Sequence, residues 1–426
     1  MAERQTKDNE PRTVNLSFAR MGGAGFFLIA AQALAFAAVY ILARGLGPID
    51  YGRVGLAMVF SIYGYQFVQF GIDPLLTRML VRDAPERAAS RLAGWLRQKQ
   101  CAAVLALLIA GVSLATSGHE DRLLLFLGVL DGVVLALSVP GAFDARSKTP
   151  LYFAFLTLRQ AGYAGTALLL TVAFKPLLNP VNVVLVHLAC LLTQISVEWF
   201  WVRRSFGALD WRGSLSEGVA LWRMALPLAI SAGAWHISGS IGPPALEWAG
   251  QKSELGPLVL SNQISMFLFS LTIIPTRIIQ ARLAHVDHTS AEFRRIVWRY
   301  FLLFAVAGVA AAIACDLLAP FIVPLVFSQK YQATVPLLQM DAWRVAGSAG
   351  GAAFIAAFVC EDRLWLRAGC EVLAFAATIA VVVIFIPAHG AAAAAAAVPV
   401  GRIVFTVLAA TAFFLGARGQ EPRAKS

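Results

Sequence analysis

Long apolar runs separated by short polar segments dominate the chain. Each run holds about 20 residues, the length that an α-helix needs to cross the hydrocarbon core of a bilayer. Charged residues, Pro or Gly bound the runs, as at Gly47-Pro48 after the first and Lys175-Pro176 after the fifth. The pattern therefore predicts an all-α polytopic membrane protein with twelve transmembrane helices. The predicted segments are 21–43, 51–72, 98–116, 122–142, 150–173, 180–202, 221–243, 255–276, 296–316, 334–359, 364–386 and 391–416.

The twelve segments divide into two lobes of six, predicted at 21–203 and 221–416. A tail at 1–20, a linker at 204–220 and a tail at 417–426 are predicted to be cytoplasmic. The lobes resemble each other, because Leu46-Gly47-Pro48 leads into the second segment and Leu255-Gly256-Pro257 opens the eighth. Six is an even number, so both lobes have the same orientation. We therefore expect a parallel repeat about a pseudo-two-fold axis along the membrane normal.

The composition narrows the class of protein. Of the 426 residues, 59% are hydrophobic and only 14% are charged, and the mean hydropathy is +0.71. Soluble domains average about 25% charged residues, so a soluble enzyme is excluded. The segments between the helices are too short for an ATPase domain, and no phosphate-binding P-loop sequence or Ser/His/Asp constellation is visible. The five cysteines are widely spaced and lack metal-ligand spacing, so we expect neither disulfides nor a bound metal. We also expect no cofactor and no catalytic site, because no motif for either is visible.

The net charge of +11 is explained by membrane topology. With both termini on the cytoplasmic side, 26 of the 35 Lys and Arg residues lie on that side and six lie outside. This is the bias of the positive-inside rule, so nucleic acid is not an expected partner. Amphipathic stretches after Pro74 and Pro275 indicate contact with membrane lipids.

Ionisable groups inside the apolar segments are the candidate functional residues. A charged side chain at the centre of a membrane helix costs roughly 2.5–3.5 kcal/mol, and such groups usually face a cavity or a partner. The three arginines are candidates for binding an anionic headgroup, since a guanidinium suits a phosphate as a bidentate partner. The acids and histidines are candidates for charge balance or proton transfer. The set is Arg402, Arg159 and Arg344, with Asp131, Asp341, Glu371, His187 and His236.

Each candidate also has a purely structural interpretation. Asp341 and Arg344 are three residues apart on one helical face and can neutralise each other. Asp131 can pair with Arg159, and Glu371 with Arg402, across neighbouring segments. Either histidine can make an ordinary polar helix contact. Spacing alone does not separate these interpretations from the functional ones.

Three motifs give the chain a resemblance to a known family. The stretch 42–52 is similar to an "aRxLGpxdyG" motif, and 71–78 to a "GxxxxxxR" motif. The stretch 326–338 is similar to "FGxxYxxAxxxL", with Ser328 where the motif usually has Gly. Leu226-Pro227 also fits. The chain thus resembles the oligosaccharide and polysaccharide flippases of the multidrug/oligosaccharidyl-lipid/polysaccharide (MOP) exporter superfamily.

The resemblance implies translocation of undecaprenyl-pyrophosphate-linked sugar repeat units by alternating access between two six-helix lobes. It implies a bacterial inner membrane, and a polysaccharide polymerase and glycosyltransferases as partners in the pathway; we expect a monomer. Lipid II flippases carry arginines within span 1, whereas this interior has Gln32, which disfavours that subtype. Candidate gate or hinge positions are Gly47, Pro48, Gly52, Pro227 and Pro399.

Two other functions compete with the flippase. An ion-coupled multidrug antiporter of the same fold predicts a cavity richer in acids. A membrane-embedded glycosyltransferase or ligase predicts large outer loops with catalytic carboxylates, but the longest predicted outer loops, 244–254 and 317–333, are short. The segments contain three central arginines and three central carboxylates, so charge alone does not separate the flippase from the antiporter.

Overall fold

The computed structural model describes residues 18–82, 85–116, 119–207, 215–270, 276, 279, 282–283 and 286–418. The regular structure of this part of the chain is helical throughout. The first half contains α1 (Phe18–Gln69), α2 (Asp73–Arg82), α3 (Pro85–Thr116), α4 (Arg122–Ala136), α5 (Pro140–Ala145), α6 (Thr149–Val172) and α7 (Pro180–Phe206). The second half contains α8 (Leu215–Ser240), α9 (Gly242–Trp248), α10 (Leu255–Ser270), α11 (Ala291–Phe327), α12 (Thr334–Asp341), α13 (Trp343–Cys360) and α14 (Leu364–Arg418).

The two longest helices, α1 and α14, are each broken once by a glycine. Gly47 has φ 78° in α1, and Gly390 has φ 54° in α14. Glycine adopts this left-handed backbone conformation readily, because glycine has no Cβ. Each long helix therefore consists of two arms, which match the predicted segment pairs at the two ends of the chain.

Seven of the described helical stretches are long and apolar enough to cross a membrane. Their outer surfaces carry exposed large hydrophobic side chains, such as Phe200 on α7 (69% exposed) and Leu325 on α11 (81% exposed). Large apolar side chains on the outside are expected where lipid replaces water. The chain is therefore a multi-pass membrane protein.

Two predicted features differ from the structure. The ninth segment was expected to end at 316, but α11 continues through Pro320 and Pro324 to Phe327. The apolar sequence of that stretch outweighs its prolines, so most of the predicted outer loop is helix. The stretch after Pro74 forms α2, whose Leu76 and Leu80 are buried within the protein. The matching stretch after Pro275 falls mostly outside the described residues.

The two similar Leu-Gly-Pro stretches, 46–48 and 255–257, lie next to each other. A Cβ added at Gly256 would lie 2.0 Å from the carbonyl oxygen of Pro48, and one at Gly52 would lie 2.7 Å from the backbone nitrogen of Gly256. Such a close approach of two backbones requires that side chains be absent. The second arm of α1 is thereby held directly against the start of α10, and the two halves of the chain meet at this end.

The halves also meet at the opposite end of the second arm of α1. Gln66 donates a hydrogen bond to the carbonyl oxygen of Ala232 on α8, at 3.0 Å. The rings of Phe70 and Trp222 are stacked with their centroids 4.7 Å apart. The described residues of the two halves therefore contact each other on both sides of the space between them.

Candidate functional site

A central cavity lies between the two halves of the chain. Its empty volume is about 730 Å³, including the space of its open mouth. The second arm of α1 forms one wall through Gly55, Met58 and Ile62, and helices of the second half form the rest. The polar and aromatic residues from the second half are Trp235, His236, Ser240, Asn262, Gln263, Phe269, Arg344, Ser348 and Arg402.

Arg402 is held in the cavity wall by contacts on several sides. Its Nη2 donates a hydrogen bond to the carbonyl oxygen of Trp235 at 2.6 Å, and its guanidinium carbon lies 3.3 Å from the centre of the Trp235 ring. A Cβ on Gly347 would lie 2.8 Å from the Cβ of Arg402, so this glycine lets α13 approach the arginine closely. The side chain is only 4% exposed. The sequence placed Arg402 among the headgroup-binding candidates, and it does line the cavity.

Glu371 supplies the countercharge of Arg402. Its Oε2 lies 3.6 Å from Nη1 of Arg402, across the two arms of α14, and its side chain is 1% exposed. Neither carboxylate oxygen has a hydrogen-bond partner among the described residues. Removing one partner of a buried ion pair costs about 3–5 kcal/mol, because the other charge is left uncompensated. The pair expected from the sequence is therefore present, and it fixes Arg402 without hydrogen bonds to the carboxylate.

Arg344 is the second cationic residue of the wall. Its Nε donates to Oδ1 of Asp341 at 2.7 Å, and its Nη2 donates to Oδ1 of Asn262 on α10 at 2.7 Å. Asp341 ends α12 and Arg344 lies in the first turn of α13, so the pair spans the junction of these helices. The mutual neutralisation expected from their spacing is confirmed, and Arg344 nevertheless lines the cavity.

The cavity presents cations and no carboxylates in the described part of the chain. Arg344 and Arg402 are among its lining residues, whereas no Asp or Glu of the described residues is among them. Asp341 and Glu371 lie behind the arginines and are almost fully buried. An anion entering the cavity therefore meets the two arginine side chains and no carboxylate of the described residues.

Asp131 lies elsewhere, inside the first half of the chain. It accepts a hydrogen bond from Ser61 at 2.8 Å, and Nδ1 of His187 lies 2.7 Å from its Oδ1. The ring of Tyr163 packs edge-on against His187, and both rings line a second cavity of about 600 Å³ beside α1. Asp131 therefore does not form the pair with Arg159 that the sequence allowed; Ser61 and His187 contact its two carboxylate oxygens instead.

Arg159 is also separate from the central cavity. It lines a different pocket between α6 and α7, of about 560 Å³. Of the three arginines predicted to share a headgroup site, the structure brings Arg344 and Arg402 to one cavity and leaves Arg159 outside it.

The hinge candidates divide into two groups. Gly47 forms a backbone turn, and Pro48 and Gly52 contact the start of α10, as described above. Pro227 and Pro399 lie inside α8 and α14, which continue through them as helices. Gly390, where α14 is broken, was not among the predicted hinge positions. Pro387, three residues earlier, was a sequence signal for this break.

Several buried polar residues were missed by the sequence reading. Lys99, at the start of the third predicted segment, is 1% exposed and donates hydrogen bonds to Gln69 and to the carbonyl oxygen of Ala136. Glu198 is fully buried and accepts a hydrogen bond from Ser138 at 2.8 Å. A charge near the end of a helix gives no sign in the sequence of whether it turns inward.

Charged side chains join the halves near the Gly256 contact. His119, before α4, lies 3.2 Å from Glu247 on α9. Lys252 lies 3.5 Å from both Glu247 and Glu120. These two carboxylates raise the pKa of Lys252 above its usual value. The lysine is exposed, so this cluster adds little to stability but links loops from both halves.

Comparisons with known proteins agree on the fold. No protein-family model matches the sequence, and no curated protein matches it. Among solved structures, the chain is similar to the lipid II flippase MurJ in an inward closed conformation. The TM-score is 0.71 with 11% identity, over 93% of this chain and 87% of that one. It is also similar to an inward-facing multidrug resistance MATE family transporter of the MOP superfamily. That TM-score is 0.69 with 15% identity, over 92% of this chain and 96% of that one.

A third similar structure is a MOP superfamily transporter from Pyrococcus furiosus, for which a reverse polarity of the binding pocket is described. The TM-score is 0.54 with 13% identity, over 94% of this chain and 96% of that one. At these identities the likeness concerns the fold alone. The chain has the fold of MOP transporters.

Proposed function

We propose that this protein is a flippase that moves an anionic lipid-linked oligosaccharide across the membrane by alternating access. The substrate class is an undecaprenyl-pyrophosphate-linked repeat unit used for surface polysaccharide synthesis. The observation that carries the proposal is the polarity of the central cavity, where Arg344 and Arg402 line the wall and no carboxylate does so in the described part of the chain. A cavity of this polarity favours a diphosphate over a cationic drug.

The two arginines would bind the diphosphate as hydrogen-bond donors. A guanidinium presents several N–H donors in one plane and matches phosphate oxygens in pairs. Asp341 and Glu371 would hold the arginines in position while staying out of the cavity. The Arg402–Glu371 contact of 3.6 Å has no hydrogen bond in it, so Nη1 of Arg402 remains able to donate to a phosphate oxygen.

Alternating access would use the contact between the two halves as a gate. The proposed topology has twelve crossings, with both termini cytoplasmic in a bacterial inner membrane, which follows from the cation distribution. In this topology the Gly52–Gly256 contact lies at the outer end and closes the cavity there. Opening that contact while the other end closes would expose the cavity to the outer leaflet.

Transport of a labelled lipid in proteoliposomes tests the proposal. A fluorescent polyprenyl-diphosphate sugar is placed in one leaflet, and its movement is followed by a membrane-impermeant quencher. The wild-type protein should accelerate the movement over empty liposomes, and a polyprenyl alcohol carrying the same dye should not be moved. In cells, loss of the gene should trap lipid-linked repeat units in the inner leaflet. Equal movement of the charged and uncharged lipids would contradict the proposal.

An ion-coupled multidrug antiporter is the second candidate function. The buried Asp131–His187 pair beside the second cavity supports it, because a carboxylate and an imidazole 2.7 Å apart can exchange a proton. This function predicts proton-driven uptake of cationic drugs into proteoliposomes that contain only this protein. The proposed flippase would act as a monomer in a pathway with glycosyltransferases and a polymerase; the antiporter needs none of them.

A further inference from the structure

Among the described residues, Arg159 has no carboxylate fixed against it by a hydrogen bond or ion pair. It lies on α6, and the structure places no hydrogen bond or ion pair on its guanidinium from the described residues; its buried Nε has no partner. Asp131 and Glu198 are near enough to attract it electrostatically. Both are already bound, Asp131 to Ser61 and His187, and Glu198 to Ser138. An arginine inside a membrane segment normally has a partner, because an unpaired charge there is costly.

The pocket that holds Arg159 opens on the outer surface of the helix bundle. Leu158 and Val197, which line it, are 69% and 42% exposed, and both are apolar. Gln194 also lines the pocket, and its Oε1 is buried without a hydrogen-bond partner in the described structure. A polar interior therefore sits behind an apolar rim that faces lipid. A membrane lipid reaches this pocket directly, without passing through the central cavity.

The depth of Arg159 suits a headgroup drawn in from the nearer leaflet. The residue is ten positions after Thr149, where α6 begins. At 1.5 Å per residue its Cα lies about 15 Å along the helix. Side chains on a helix point back toward its N-terminus, so the guanidinium lies nearer to the end that the cation distribution predicts to be cytoplasmic. Long cationic side chains reach headgroups in this way, with local thinning of the bilayer.

We propose that this pocket is a binding site for the phosphate of a membrane lipid, with Arg159 as its cationic ligand. The lipid chains lie along Leu158 and Val197 on the outer surface. The phosphate accepts hydrogen bonds from the guanidinium and supplies the anion that the protein lacks there. The site is separate from the Arg344–Arg402 cavity and does not depend on the flippase proposal. Two sources carry this chemistry, namely an anionic phospholipid and a polyprenyl phosphate.

Native mass spectrometry of the full-length protein in a non-ionic detergent measures the binding. Phosphatidylglycerol, phosphatidylcholine and undecaprenyl phosphate are titrated separately. We expect one of the two anionic lipids to bind more tightly than phosphatidylcholine. Arg159→Gln should weaken that binding about tenfold or more, as expected for the loss of hydrogen bonds to a charged group. The lipid whose binding falls tenfold in Arg159→Gln is the source of the phosphate.

Two further variants separate this site from general attraction and from misfolding. Arg204→Gln removes an exposed arginine near the end of α7, and lipid binding should remain as in the wild type. Gly162→Leu fills the pocket and keeps Arg159. A Cβ there meets only the sulfur of Cys190, at 3.6 Å, so the backbone is not displaced. This variant should lose binding as Arg159→Gln does.

The proposal is overturned by any of three results. The first is equal binding of neutral and anionic lipids to the wild type. The second is an equal loss of binding in Arg159→Gln and Arg204→Gln. The third is wild-type binding in Gly162→Leu, which decides the question even where Arg159→Gln does not fold.

Discussion

The two charges of the Arg402–Glu371 pair can be removed singly or together. Comparing these variants separates the effect of Arg402 on substrate binding from its effect on stability. Arg402→Gln removes the cation from the cavity and leaves a carboxylate that is 1% exposed without its countercharge. Glu371→Gln does the reverse and keeps the cation. The double variant Arg402→Gln/Glu371→Gln removes both charges together. Glutamine keeps a polar side chain at each position, so packing changes less than it would with alanine.

The expected magnitudes follow from the burial of the pair. Each single variant should lose about 3–5 kcal/mol of stability, because one buried charge is left unpaired. The double variant should recover most of that loss, since replacing both members of a buried pair is often neutral. The three variants should rank differently in substrate affinity than in stability. Losing a charged hydrogen bond to phosphate costs about 1.5–3 kcal/mol, or roughly 10- to 150-fold in affinity.

Two measurements on the same purified proteins decide whether Arg402 contributes to substrate binding or only to stability. Thermal unfolding reports stability, and proteoliposome transport of a fluorescent polyprenyl-diphosphate sugar reports function. We expect stability in the order wild type, double variant, single variants. We expect transport by Glu371→Gln in proportion to its folded fraction, and loss of transport in both variants that lack Arg402.

The result that refutes the reasoning is recovery of transport in the double variant. In that case Arg402 serves only to neutralise Glu371, and the cavity does not bind its substrate through this guanidinium. Recovery of stability without transport would instead assign Arg402 to binding.

Three further predictions concern the gate, a strained turn and the second cavity. Gly256→Ala places a Cβ 2.0 Å from the carbonyl oxygen of Pro48. The closed conformation of the gate should therefore be destabilised by about 1–3 kcal/mol relative to the open one, which changes the ratio of the two conformations 5- to 150-fold. Cysteine-labelling rates at the gate measure the shift, and Gly165→Ala, which has open space around it, should show none. Ser328→Gly should stabilise the protein by about 1 kcal/mol, because Ser328 has φ 81° where glycine is unstrained; an unchanged melting temperature would contradict this. Asp131→Asn should leave transport of the anionic lipid intact, and loss of that transport in a folded variant would contradict this by making the Asp131–His187 pair part of the lipid-transport mechanism.

The helices were predictable because their cause is local. A run of about 20 apolar residues must satisfy its backbone hydrogen bonds internally in lipid, and only a helix does so within one segment. The starts of α4, α7 and α10 at Arg122, Pro180 and Leu255 follow the predicted segments within a residue. The end of α11 was missed, because Pro320 and Pro324 read as breaks although the surrounding apolar stretch continues as a helix.

The pairing of charges was predictable only where sequence spacing sets it. Asp341 and Arg344 are three residues apart, and the structure pairs them. Asp131 and Arg159 lie on neighbouring predicted segments, yet His187 takes the place of the arginine. The rotation of a helix about its own axis decides which side chain faces which neighbour. Apolar segments that are hydrophobic all round carry almost no sign of that rotation.

The sequence alone determined that this is a multi-pass helical membrane protein, which residues are ionisable inside its segments, and that Gly47 and Pro48 separate the first two segments. The tertiary structure decided how those residues are distributed. It brought Arg344 and Arg402 to one cavity with their carboxylates behind them, and it left Arg159 in a pocket that faces lipid. The physical reason is that helix formation in a membrane depends on each segment alone. The polarity of a cavity depends on how several segments are rotated and packed against one another.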